Sequence, residues 1–152
     1  MDQSVGFTWR MQTHEATIHR VDAELTAGLP VSPVDAEVAA EGIDHVPDVM
    51  WNWVPGDAER RVVATIELHA TDTGQSWLVD VIFWTGSAWG QQFTDQVAGV
   101  RSSRQPGQAD AVVSGTVMAL DLLVWNREQD VVAEGDEAAL REWDALLAQG
   151  IS

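Results

Sequence analysis

The chain has 152 residues, 45% of them hydrophobic, which is enough for one domain with a sizeable core. A formal net charge of −16 argues against nucleic acid and anionic membrane surfaces as partners. No cysteine, lysine or tyrosine occurs, which excludes disulfides, thiolate metal ligands, a cysteine nucleophile and Schiff-base chemistry. Any thiol chemistry would therefore need a thiol supplied by a small molecule. No apolar run approaches the roughly 20 residues that span a bilayer. The opening MDQSVGFTWRMQ lacks a basic segment followed by an apolar one, so a cytoplasmic protein is expected.

Residues 7 to 27 predict a helix. Phe7, Met11, His14, Ile18, Val21 and Leu25 recur at spacings of three and four, a narrow heptad-like stripe that needs a partner surface. Gly28 and Pro30 end it. Ser32 as cap and Pro33 in the first turn predict a second helix to His45, followed by a helical or turn segment from Asp48 to Trp53. Pro55-Gly56-Asp57 is a turn. From Arg61 the period becomes two, with Val62, Ala64, Ile66, Leu68 and Ala70 expected inward and Glu67 and His69 outward. Ser76 to Thr85 is expected as a central second strand, with Gly86-Ser87 turning into a third strand, Trp89 to Thr94. Residues 95 to 109 look like a loop, and Asp110 to Ser114 a fourth strand. A helix follows from Val117 to Arg127, then a short strand, Val131 to Ala133. Gly135-Asp136 can cap a terminal helix, Glu137 to Gln149. The fold class expected is α+β: an antiparallel or mixed sheet of about five strands, covered by helices and preceded by an N-terminal amphipathic helix.

The stretch HEATIHRVDAE, residues 14 to 24, carries the chemistry-bearing residues of the first helix. Glu15 and His19 sit one turn apart, about 40° around the axis, and Asp22 continues their row. Such a pair can place two ligands on one divalent ion, or it can be an ordinary solvated helix face; the spacing fits both. Two ligands make half a catalytic site, and a third must come from elsewhere. His14 lies on the apolar stripe and is expected as a packed core histidine. His45, near a helix end, is expected to complement the helix dipole, and His69 to face solvent.

The runs TWRMQTHEATIHRVDAELTAG (8–28), SPVDAEVAAEGIDHVPDVM (32–50), VVSGTVMALDLLVWNRE (112–128) and the VVAEGDEAALREW after it resemble the mycothiol-dependent maleylpyruvate isomerase family of actinobacteria. The resemblance runs in order over nearly the whole chain. It implies that residues 1–28 are the last helix of a DinB-like four-helix bundle whose earlier helices are missing, and that 29–152 form a sterol-carrier-like α+β domain. It implies that Glu15 and His19 are metal ligands of an E-x-x-x-H pattern, for a divalent metal such as zinc. It places at Arg127 an arginine that would contact an anionic substrate or the thiol cofactor, mycothiol; the residues alone allow a plain helix-end charge there.

Three functions follow as expectations. The first is a metal- and thiol-dependent isomerase or transferase, incomplete in this chain alone, with the metal site finished in trans or by Asp22 or His14. The second is a module that binds a small hydrophobic molecule, with Trp77, Trp84, Trp89 and Trp125 as lining residues or as ordinary core. The third is an accessory subunit docking through its first helix. A homodimer packed through the first helices is expected, to bury the apolar stripe.

Overall fold

The structure is a computed structural model, and it describes residues 5–151. Helix α1 spans Val5–Thr26, and α2 spans Ala36–His45, running into a single π-helical turn at Val46–Met50. Strands β1 (Glu59–Ala70), β2 (Ser76–Ala88), β3 (Gln91–Arg101) and β4 (Ala111–Gly115) follow. Helix α3 (Val117–Val124), β5 (Val132–Gly135) and α4 (Glu137–Leu147) complete the chain. The five strands form one sheet in the order β3-β2-β1-β4-β5, with β1 and β4 parallel and every other neighbouring pair antiparallel. The α+β class, the mixed five-stranded sheet and the leading helix agree with the sequence reading.

Helix ends follow capping chemistry. Gly28 takes φ +67 and, with Leu29, donates to the Leu25 and Glu24 carbonyls, closing α1. Helix α2 starts later than expected, at Ala36, because Asp35 and not Ser32 accepts from the free N–H groups of Glu37 and Val38. Thr116 caps α3 and Asp136 caps α4, the latter as the sequence suggested.

The core lies between the helices and one face of the sheet. Ile66, Leu68, Val79, Val81 and Val113 from the strands meet Ile43, Leu120, Leu122, Trp143 and Leu146 from the helices. A smaller cluster holds Ile82, Trp84 and Ala98. The expected alternation of β1 fails at its start: Val62 is exposed, because a bulge between Val62 and Ala64 shifts the phase by one residue and turns Val63 inward instead. Glu67 is buried, not outward in water; its Oε2 accepts from the Gly107 N–H at 2.9 Å.

The hairpin between β2 and β3 also departs from expectation. Its turn is Trp89-Gly90, both at positive φ, so β2 continues through Gly86 and Ser87. Strand β3 then runs to Arg101, through residues expected as loop. Gly99 explains the misreading. A Cβ there would lie 2.6 Å from Trp51 Cε3, so the strand position that touches the core must be the residue most typical of loops.

Candidate functional site

Three helical elements meet around His14. Ile18 and Val21 of the α1 stripe are buried with it, so this part of the stripe is used against the chain's own domain. The His14 ring centroid lies 5.0 Å from that of His45 at the end of α2, and 6.3 Å from Trp125 just after α3. His45 and Trp125 stack at 6.1 Å, 9° from parallel, and Phe7 approaches His45 at 6.3 Å. Asp121, one turn before Trp125, is pressed onto α2 at Gly42, where a Cβ would sit 2.1 Å from its Oδ1. Only glycine lets the two helices close over that carboxyl group.

Four buried atoms here, His14 Nε2, His45 Nε2, Asp121 Oδ1 and Trp125 Nε1, have no hydrogen-bond partner among the described residues. One such orphan costs about 1–3 kcal/mol, so four together are unlike ordinary core. Their charge states follow from burial. Burial, then the neighbouring His45 and Arg10, pull the His14 imidazole down to about 4. Burial and Arg10 lower His45 as well, against the opposing pull of Asp48 and Glu15. Burial pushes the Asp121 carboxyl up to about 8; the Trp125 indole N–H opposes this, without the geometry of a full hydrogen bond. At neutral pH the cluster is two neutral imidazoles and a mostly protonated acid.

Beside His45 opens a cavity of about 450 Å³. Phe7, Val49 and Trp53 give it apolar walls, while Arg10, Asp48 and Asn52 join His45 on its polar side. The Asp48 carboxylate is already engaged: Arg101 donates to it through Nε at 3.1 Å and Nη2 at 2.9 Å.

Glu15 and His19 sit on the other flank of α1, with Oε2 and Nε2 3.5 Å apart and the His19 side chain 75% exposed. Two ligands held at about 2.0–2.1 Å on a tetrahedral ion lie roughly 3.3 Å apart, so this pair fits two positions of such a site. No group of three or more His, Asp or Glu able to hold a metal exists among the described residues, so the pair does not make a complete centre here. Asp22 and His14 do not complete it. His14 is buried with His45, and Asp22 is taken by Arg127.

Arg127 donates from Nε (2.9 Å) and Nη2 (2.5 Å) to the two Asp22 oxygens, and from Nη1 to the Trp125 carbonyl. This fork ties the end of α3 to α1, and it holds the Asp22 carboxyl below the usual carboxylate range. Of the expected tryptophans, Trp84 and Trp125 are buried, Trp77 is half-buried, and Trp89 is 73% exposed at the hairpin tip. His69 is half-buried with Nδ1 3.1 Å from Ser76 Oγ.

Residues 37–142 match the MDMPI C-terminal domain, that of the maleylpyruvate isomerases. The chain belongs to this family. The match begins inside α2 and ends inside α4, so His45, Asp121, Trp125 and Arg127 lie within it and Glu15 and His19 lie before it. No curated protein matches the chain. No helix among the described residues is long and apolar enough to cross a membrane.

Sequence reasoning passed over Arg10 and Asp121 and gave His45 the wrong setting. His45 is not a surface charge at a helix end but a buried ring. For Asp121 a signal existed: it is the one acid in the otherwise apolar octet VMALDLLV. For Arg10 there was none, because only the packing of α1 on α2 shows what it faces.

Proposed function

We propose that this chain is the maleylpyruvate-isomerase-like half of a mycothiol-dependent, metal-assisted enzyme and is not catalytic alone. In this reading α1 presents Glu15 and His19 as two ligands of a divalent ion, zinc by ligand type, and the remaining ligands come from outside the described residues. The observation that carries it is the setting of the pair. The inward row of α1 is buried in its own domain, while Glu15 and His19 stay on the flank, 3.5 Å apart. A bound zinc would lower the pKa of a coordinated thiol and so supply a nucleophile. The chain's own part is to hold the two donors on a helix pinned by the Asp22–Arg127 fork. Arg127 would meet an anionic substrate or thiol by exchanging it for Asp22. A second copy packed through α1 is one source of missing ligands; Trp9 and Leu25, 72% and 51% exposed, are the apolar residues such a contact would cover.

The test is zinc content by elemental analysis after equilibration with zinc, on protein without a histidine tag, beside the Glu15→Ala/His19→Ala variant. Zinc bound at one per chain or per pair of chains and lost in the variant is expected. Equal uptake by both proteins, or none by either, overturns the reading. A second reading, a module for a small apolar molecule, is favoured by the exposed Trp53 and Trp89 on either side of a concave surface of about 370 Å³. A co-purifying lipid together with absent zinc would support it.

A further inference from the structure

We propose that the cavity between α1 and the π-helical turn is a binding site for a small organic carboxylate, held by the Arg10 guanidinium and the His45 imidazole against the rings of Phe7 and Trp53. The inference is independent of the metal reading. At 100° per residue, Arg10 and His19 lie about 180° apart on α1.

The charge pattern points to an anion. The chain carries 24 acids and only eight arginines. Six of these are engaged: Arg20, Arg101, Arg104 and Arg127 by carboxylates, Arg60 by carbonyls, Arg61 by the Phe83 ring. Arg10 has no ion-pair partner among the described residues although acids outnumber arginines threefold, and it lines a cavity. The acid in that cavity does not claim it, because Asp48 is held by Arg101. Arg10 is exposed at the cavity wall, and a guanidinium without a carboxylate partner there is suited to an anionic ligand.

The hydrogen-bonding pattern narrows the anion. His45 is buried and lines the cavity; its Nε2 is shut off from solvent, so Nδ1 is the ring nitrogen left to meet a ligand. A neutral imidazole offers one N–H, and Asn52 adds an amide donor; both can be accepted by carboxylate oxygens while the planar guanidinium takes the charge. The volume, about 450 Å³, is that of a small-molecule pocket, and the aromatic walls suit a flat apolar body attached to the carboxylate.

The full chain, labelled with ¹⁵N, would be titrated with sodium benzoate while the Trp53 indole and Asn52 amide signals are followed. Benzyl alcohol serves as the uncharged analogue and sodium chloride as the ionic-strength control. Saturable shifts at both signals with benzoate alone are expected. Arg10→Met should weaken binding at least about tenfold, the scale of one charge-assisted hydrogen bond. Arg10→Lys should restore part of it, and Arg141→Met, which removes an exposed arginine on α4, should leave it unchanged. Non-saturating shifts, equal shifts with benzyl alcohol, or unaltered affinity in a folded Arg10→Met protein would overturn the proposal.

Discussion

Asp121 makes the stability of this domain fall as pH rises through neutrality. In the unfolded chain its carboxyl titrates near 3.8, whereas burial beneath Gly42 raises it to about 8 in the folded one. A raised carboxyl pKa means that the folded state binds the extra proton. The resulting stabilisation is complete below the unfolded value and is lost as pH rises through the folded value. Proton linkage then gives a loss of about 2 kcal/mol between roughly pH 6.5 and pH 9. For a domain of this size that corresponds to a fall in Tm of roughly 4–8 °C. His14 does not interfere in that window. Its pKa is lowered from 6.5 to about 4, so its contribution is present above 6.5 and lost as pH falls toward 4. Below pH 6.5 the two slopes oppose each other, and the lowered His45 adds to the acid-side loss. Urea denaturation across the range is the assay, with Asp121→Asn as the comparison. The variant should be flat from neutral to alkaline pH and steeper than wild type on the acid side, where the histidines act alone. A wild type equally stable at both ends of the alkaline window, or a variant that keeps the same slope, would refute the buried, proton-bearing Asp121.

Other substitutions check the remaining contacts. Gly42→Ala puts a methyl group 2.1 Å from Asp121 Oδ1 and should cost about 1–3 kcal/mol by denaturant titration, because the α2–α3 contact must open. Gly99→Ala should cost a similar amount and shift tryptophan emission, since the new Cβ meets Trp51 at 2.6 Å. Arg127→Ala breaks the fork to Asp22, and with that pair partly exposed its effect on global stability should stay within about 1 kcal/mol. Hydrogen exchange should nonetheless rise in α1 more than in the sheet; equal change in both would show that the fork does not tether α1. His14→Phe should reduce the acid-side loss of stability, which equilibrium unfolding at mildly acidic pH would show directly.

Much of the architecture was legible in the sequence because its signals are local. The stripe of α1, the Asp136 cap, the alternation of Ala64, Ile66, Leu68 and Ala70, and the apolar α3 each reflect a periodicity of the chain itself. Charge and composition likewise set limits on chemistry before any fold is known: no thiol, no amine and a strongly acidic surface. The resemblance that pointed to the family also rested on residues in order along the chain, and the match over 37–142 agrees with it. What the sequence could not show depends on contacts between residues far apart. The bulge that turns Val62 outward, the strand hidden around Gly99, and the turn at Trp89-Gly90 are all settled by register with β2 or by a side chain arriving from another element. The same holds for the site. Glu15 and His19 are one turn apart and could be paired by counting, but His14, His45, Asp121 and Trp125 come together only when α1 packs over α2 and α3. A titratable group's state is set by what surrounds it. Only the tertiary structure could therefore decide that a histidine at a helix end is buried and neutral and that an aspartate in an apolar helix keeps its proton.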